Sequence, residues 1–101
     1  MRRAASKAIT LHDRTIVRRL GAADLGGRTP KIEVAHGLHR DRPDEVVEYR
    51  AKIFVVASGY TWSSHLLLLS GSTRFPNGLA NSSDQVGRNY MRHVTGSVYA
   101  V

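Results

Sequence analysis

A continuous apolar run at residues 53–57 (IFVVA) constrains the fold of this chain more than any other feature of its sequence. β-branched and aromatic side chains without polar alternation are typical of a strand that is buried on both faces, as in a parallel sheet. Ser58 and Gly59 follow directly and break the apolar pattern, so the strand is expected to end in a tight turn. The run therefore predicts one buried strand, the first part of an α/β unit.

A leucine-rich segment after this turn predicts a helix. Ser63 and Ser64 belong to the residue types that cap helix N-termini, and four leucines follow at residues 66–69. We expect the helix body to begin at His65 and to end at Ser70-Gly71, where the apolar pattern stops. Residues 51–72 are thus predicted to form a strand–turn–helix unit.

The first half of the chain predicts three short strands joined by turns. Apolar and β-forming residues indicate strands at about residues 15–20, 31–35 and 45–49. Glycines and a proline mark the first turn, and the polar segment HGLHRDRPD at residues 36–44 predicts the second. Residues 1–50 are therefore expected to form a β-meander, an exposed antiparallel layer.

The last part of the chain, residues 73–101, has no regular apolar pattern. Pro76-Asn77-Gly78 and the polar run at residues 81–84 favour turns, so we expect an extended, irregular segment. A chain of 101 residues forms one domain at most. The three parts are therefore expected to belong to a single domain, or to a piece of one.

Composition argues against several functional classes. The net charge is +7, but the basic residues are scattered, without the aromatic-studded basic strand of a nucleic-acid binder. The chain has no cysteine, which excludes disulfides, thiolate chemistry and the usual zinc motifs. Its leucine run is far shorter than the roughly 20 residues of a membrane span. No apolar signal core follows the basic start, so the sequence indicates no compartment, the cytoplasm being the default.

The turn at residues 57–59 is the place where a nucleotide could bind. Ligands of open α/β sheets lie beyond the carboxyl ends of the strands. Ala57, Ser58 and Gly59 would stand there, and their small side chains would let a cofactor approach the backbone. A short turn after a strand is also common without any ligand. The glycine-rich G-x-G-x-x-G and P-loop fingerprints of phosphate binding are absent.

Other polar residues predict no catalytic or metal site. His36 and His39 lie in the predicted polar turn without a nearby set of carboxylates, so solvated loop histidines are expected. Ser64 and His65 are neighbours in sequence, which does not make a nucleophile and its base. His93 favours a structural role over an acid–base one. The segment beginning at Asn81 (NSS) matches the glycosylation acceptor pattern, which matters only in a secreted protein.

Two longer segments resemble the glucose-methanol-choline family of oxidoreductases. They are YRAKIFVVASGYTWSSHLLLLSGS and FPNGLANSSDQVGRNYMRH. The resemblance is strongest over residues 51–93, and it extends weakly over residues 9–100. Its most specific part is Gly59, then Ser63-Ser64, two leucines, and Ser70-Gly71, which are similar to the second signature of the family. Both segments occur in the order that the family has.

The resemblance implies FAD as cofactor and a partial FAD-binding, Rossmann-like domain of α/β class. It implies oxidation of the CH–OH group of an alcohol, sugar or sugar acid by hydride transfer to the flavin. By position, Val17 matches a valine whose backbone meets the adenine end of FAD. Ala57, Ser58 and Gly59 match the turn beside the cofactor. The family usually has a small residue next, where this chain has Tyr60.

Two elements of the family have no counterpart in these residues. The glycine-rich pyrophosphate cradle would precede Met1, and the catalytic histidine with its partner would follow Val101. The sequence thus predicts a fragment that is inactive alone, without catalytic or metal-binding residues. Its expected partners are an alcohol substrate, the missing parts of the enzyme or an electron-acceptor subunit. The alternative is a small stand-alone binding or interaction module without catalysis.

Overall fold

Three strands and one helix make up the regular structure of the computed structural model, which describes residues 9–23, 30–92, 96 and 98. In chain order they are β1 (Thr15–Ala23), β2 (Lys31–His39), β3 (Arg42–Arg50) and α1 (Tyr60–Leu69). The strands form one antiparallel sheet in the order β1-β2-β3. The prediction of a β-meander followed by a helix, in a small mixed α/β protein, is confirmed.

The predicted turn at residues 36–44 is wrong over most of its length. β2 continues through His39 and β3 begins at Arg42, so only Arg40 and Asp41 form the turn. Tertiary contacts outweigh the polar composition: the Arg40 N–H donates to the Arg14 carbonyl at 2.7 Å, and the Arg14 guanidinium pairs with Asp41 at 2.7 Å. His36 and His39 are consequently half-buried strand residues rather than loop residues.

One outer strand of the sheet, β3, is dominated by charge. It carries five charged side chains and Pro43, which has no N–H to donate. Two ion pairs lie along it, Arg42 with Glu45 at 2.6 Å and Arg50 with Glu48 at 2.8 Å. β3 pairs only with β2 in the described part of the chain. These side chains therefore flank a strand edge that faces solvent.

The core lies where α1 packs against β1. Leu20, Ala35 and Leu79 are its buried residues. Partly buried side chains from the sheet, the helix and the following loop surround them, namely Ala22, Ile32, Tyr49, Phe54, Leu66, Leu67 and Phe75. With three buried apolar residues, the core of the described chain is small. Burial of apolar surface is the main favourable term of folding.

Ser70 joins the helix to the sheet. Its side chain is nearly inaccessible, the whole residue being 2% exposed. The hydroxyl accepts a hydrogen bond from the Leu20 N–H at 2.8 Å and donates one to the Leu66 carbonyl at 2.6 Å. A buried N–H without a partner is costly. The position of α1 on β1 therefore depends on a polar contact as well as on apolar burial.

The strand predicted at residues 53–57 is wrong. These residues are irregular, and Ile53 and Val55 are 80% and 84% exposed. A parallel strand obtains its backbone hydrogen bonds from neighbouring strands, and no described strand pairs with this segment. Its sequence is typical of a buried strand, but no strand of the described residues lies beside it. The parallel sheet of a Rossmann-like domain stays a prediction.

The helix begins five residues earlier than predicted. α1 starts at Tyr60, after Gly59 at φ +82°, and the Ser63 N–H already donates to the Gly59 carbonyl at 3.0 Å. Ser63 and Ser64 therefore lie inside the helix rather than capping it. The Ser64 hydroxyl donates to the Tyr60 carbonyl at 3.2 Å. The predicted end is close to the observed one, because α1 ends at Leu69 with Ser70 as its C-cap residue.

The loop after α1 folds back under the end of the helix. The Leu79 N–H donates to the Leu67 carbonyl at 2.9 Å, and Leu79 itself is buried. Gly78 precedes it at φ +96°, and a Cβ at this position would lie less than 3 Å from the backbone of Leu67 and Leu68. Residues 71–92 contain no helix or strand, in agreement with the predicted irregular segment, but they form turns and bends rather than an extended segment. His93 lies outside the described residues.

Candidate functional site

The predicted cofactor turn is open to solvent. Ala57, Ser58 and Gly59 are all exposed, and Gly59 has φ +82° and ψ 168°, a region that is essentially restricted to glycine. Apart from Gly59 itself and its immediate neighbours in the chain, no described residue lies within 4 Å of the position that a Cβ at Gly59 would occupy. No side chain caps the N-terminus of α1, which begins there. The backbone of this turn is therefore accessible to a ligand at close range.

Val17 lies on β1, opposite Gly37 of β2, and is 41% exposed. β1 is an outer strand of the described sheet, and outer strands present unpaired N–H and C=O groups to solvent. Two cavities of the described structure stand out, and neither Val17 nor residues 57–59 line them. The structure thus leaves the sequence-predicted site residues accessible without joining them in one of these two cavities.

The larger of these cavities, about 990 Å³, lies between the first turns of α1 and residues 87–92. We call it the helix cavity. Tyr60 and Tyr90 stack at its wall, with ring centroids 5.4 Å apart and an interplanar angle of 14°. Tyr60 is the residue that departs from the family pattern, so this departure supplies one half of the stack. Nothing in the sequence indicated the other half, because the two tyrosines are far apart along the chain.

The remaining lining of the helix cavity combines polar and basic side chains with the apolar Leu68 and Met91. Arg88 pairs with Asp84 and donates from Nε to the Asp84 carbonyl at 2.7 Å. Arg92 also lines the cavity, and His65 packs its ring on Trp62 with centroids 5.7 Å apart. The Ser64 hydroxyl donates to a helix carbonyl, as expected for a serine that is not an activated nucleophile.

The contact with Tyr60 changes the acidity of Tyr90. A side-chain hydrogen bond with Tyr60 raises the pKa of Tyr90 above 10.0, and burial adds a smaller effect in the same direction. The sign follows from the charge: the neutral phenol can donate this hydrogen bond and the phenolate cannot. The contribution to stability is therefore complete below pH 10 and disappears as the pH rises through the folded-state pKa.

We expect Tyr90 to ionise later than a free tyrosine in a titration followed by tyrosinate absorbance. Tyr60→Phe removes the hydroxyl partner and keeps the ring, so it should bring the Tyr90 transition down toward its ordinary pH. Tyr49→Phe is the control, because Tyr49 contacts His12 instead. A Tyr90 transition at the same pH in the Tyr60→Phe protein would show that the hydrogen bond does not form.

The smaller cavity, about 360 Å³, lies on the sheet, and we call it the sheet cavity. A break in the β1–β2 register between Val17 and Arg19 leaves Arg18 as an extra residue of β1. Neighbouring residues of a regular strand point to opposite faces, but a bulge disturbs this alternation. Arg18 and Arg19 accordingly line the same cavity. The other lining residues are His36, Gly37, Leu38, Val46 and Leu69.

The structure argues against modification of Asn81, although its sequence matches the glycosylation pattern. Asn81 is 3% exposed. Its Nδ2 donates to the Asn77 carbonyl at 2.8 Å, and its Oδ1 accepts from the Val86 N–H at 2.9 Å. The acceptor nitrogen is therefore engaged and inaccessible in the folded chain. The amide acts as a clamp for the loop after α1.

Two further observations concern the described part of the chain as a whole. No group of three or more His, Cys, Asp or Glu residues is arranged there to hold a metal ion. None of its helices is long and apolar enough to cross a membrane.

Comparison with known proteins gives one partial similarity. The chain is 54% identical over 43 residues to the fructose dehydrogenase large subunit of Gluconobacter japonicus. The match covers 43% of this chain and 8% of that subunit. No family model matches the chain, and no solved structure matches it significantly. At this level of identity the shared segment resembles part of a dehydrogenase, and the chain spans only a small share of that protein's length.

Proposed function

We propose that this chain is a piece of a larger FAD-dependent oxidoreductase of the glucose-methanol-choline type, which acts on CH–OH groups of alcohols, sugars or sugar acids. The observation that carries the proposal is the 54% identity over 43 residues to a dehydrogenase large subunit. The two sequence segments that resemble the family point in the same direction. On this proposal, the chain supplies part of the cofactor-binding region and not the catalytic groups.

The exposure of residues 53–57 favours a piece of an enzyme over a stand-alone module. Ile53 and Val55 are large apolar residues with more than three quarters of their surface in solvent. Contiguous exposed apolar surface in a soluble protein usually marks a contact with another chain segment or protein. If the other strands of a sheet were removed, the sequence of its buried strand would be exposed in this way.

The residues present at the turn fit a bound FAD. Gly59 leaves open space where a Cβ would stand, so a flat cofactor could lie close to the backbone of residues 57–59. Val17, on an outer strand, could offer its backbone groups to the adenine. FAD would supply the acceptor of the hydride taken from the substrate carbon. We assign no proton acceptor among these residues, and the chain alone is therefore expected to be inactive.

The proposed partners follow from the same comparison. The similar protein is named as a large subunit, which implies at least one other subunit in that enzyme. For this chain we propose the missing parts of its own enzyme as the first partner and an electron-acceptor subunit as the second. The substrate would be a small molecule with a CH–OH group.

We expect the purified chain to bind FAD weakly and saturably, with a gain in far-UV circular dichroism, and to show no flavin reduction by fructose or other alcohols. Quenching of flavin fluorescence measures the affinity. Gly59→Ala places a methyl group in the open space of the turn and should weaken binding about tenfold or more, the loss of about 1.4 kcal/mol of binding free energy.

Gly87→Ala is the matched control for this titration. Gly87 also has a positive φ, +80°, but it lies in the loop after α1. Both variants place a Cβ at a positive φ, so a larger loss of FAD affinity in Gly59→Ala would point to the turn. Equal loss in the two variants would remove the turn from the proposed site. Complete absence of FAD binding would contradict the cofactor assignment, and reduction of flavin by the isolated chain would contradict its inactivity.

A further inference from the structure

The sheet cavity brings two consecutive arginines together at a place where a regular strand would separate them. The extra residue in β1 between Val17 and Arg19 allows both Arg18 and Arg19 to line this cavity. β-bulges often redirect side chains next to binding sites. Two permanent positive charges therefore line a cavity of about 360 Å³.

These two charges are largely unneutralised. Arg18 has no ion pair or hydrogen bond of its side chain within the described structure, and Arg19 donates only one bond, from Nη2 to the Gly71 carbonyl at 2.8 Å. No acidic residue belongs to the lining of this cavity. Glu48 lies 3.7 Å from the lining residue His36 and pairs with Arg50 at 2.8 Å. The cavity therefore has more guanidinium donors than acceptors.

The rest of the lining consists of His36, Gly37 and three apolar side chains, those of Leu38, Val46 and Leu69. Val46 is 59% exposed. Paired guanidinium groups match the oxygens of a phosphate in geometry and charge. Apolar walls match an organic group attached to such a phosphate. A free inorganic ion would use only half of this surface.

We propose that the sheet cavity binds a phosphate monoester whose organic group is apolar, with Arg18 and Arg19 holding the phosphate. This site does not include the turn at residues 57–59, and Val17, although it precedes Arg18, does not line the cavity. The proposal does not depend on the proposed role of FAD. Its ligand is defined by a doubly charged phosphate at the arginines and an apolar body against Leu38 and Val46.

Isothermal titration of the full chain with phenyl phosphate and with inorganic phosphate, at constant ionic strength, tests the proposal. We expect saturable binding of one phenyl phosphate per chain, severalfold tighter than that of inorganic phosphate. Phenol should not bind. Arg18→Gln should weaken phenyl phosphate binding at least tenfold, because it removes a charge-assisted pair.

Arg40→Gln is the matched control. Arg40 also has no partner for its guanidinium in the described structure, but it lies in the β2–β3 turn and not at the cavity. It removes the same charge, so its affinity should stay within about twofold of the parent, since screening weakens distant charges. Equal weakening by both variants, or no saturation by phenyl phosphate at millimolar concentration, would overturn the site.

A parallel FAD titration of Arg18→Gln separates this proposal from the proposed enzyme function. Unchanged FAD affinity with lost phenyl phosphate binding supports an independent site. Loss of both would overturn the independence of the sheet cavity. FAD binding without any phenyl phosphate binding in the parent chain would remove the phosphate site alone.

Discussion

Replacing Gly78 with alanine should lower the free energy of unfolding by about 3–5 kcal/mol, the sum of a strained backbone and a clash in a packed region. Gly78 has φ +96°, which side chains rarely adopt. A Cβ there would lie 2.7 Å from the Leu67 carbonyl oxygen and 2.8 Å from the Leu68 Cα, both of them backbone atoms. Urea unfolding followed by circular dichroism at 222 nm measures the change.

Gly87→Ala separates the two causes of this effect. Gly87 has a comparable φ, +80°, but its Cβ would meet only the end of the flexible Leu68 side chain, at 3.3 Å. The expected loss is then about 1–2 kcal/mol, the cost of the left-handed conformation. If the two variants unfolded at the same urea concentration, the close approach of the loop to α1 would be wrong.

Replacing Ser70 with alanine should cost about 2–3 kcal/mol, because the Leu20 N–H would remain buried without an acceptor. Ser70 is 2% exposed, so water cannot replace the hydroxyl without opening the contact between α1 and β1. The same urea titration applies, and hydrogen exchange of the Leu20 amide should become faster in the variant.

Ser64→Ala is a close control for the Ser70 variant. Both hydroxyls donate to the carbonyl four residues earlier in the same helix, at 3.2 Å for Ser64 and 2.6 Å for Ser70. Only Ser70 also accepts a bond from the sheet. The Ser64 variant should stay within about 0.5 kcal/mol of the parent, the usual range away from such features. An equally small effect at Ser70 would mean that its hydroxyl does not hold the helix.

The sequence predicted element types better than element limits. The three strands and the helix were found because their apolar patterns are local. The full extent of β2 and β3 was not predicted, because it depends on the pairing of His39 with Arg42 and on the Arg14–Asp41 contact. The start of α1 was missed because Ser63 and Ser64 resemble caps, whereas Gly59 begins the helix by its backbone conformation.

The predicted strand at residues 53–57 failed for a different reason. Its composition is typical of a buried strand, but burial depends on partners that a pattern within one segment cannot supply. The candidate site was likewise predictable only where it depends on local sequence. Accessibility of the turn at Gly59 agrees with its small residues, whereas the Tyr60–Tyr90 stack and the arginine pair of the sheet cavity arise from folding and from a bulge.

The free edge of β3 and the exposed segment at residues 53–57 differ in how readily they would associate with another copy of the chain at high protein concentration. Another strand that paired with the free edge of β3 would meet Pro43, which offers no amide hydrogen. It would also have to dehydrate the ion pairs along β3. Fibrillar stacking from that side is therefore disfavoured. Self-association of the purified chain is expected to begin instead at the exposed apolar segment of residues 53–57. A polar substitution at Ile53 would therefore improve solubility most.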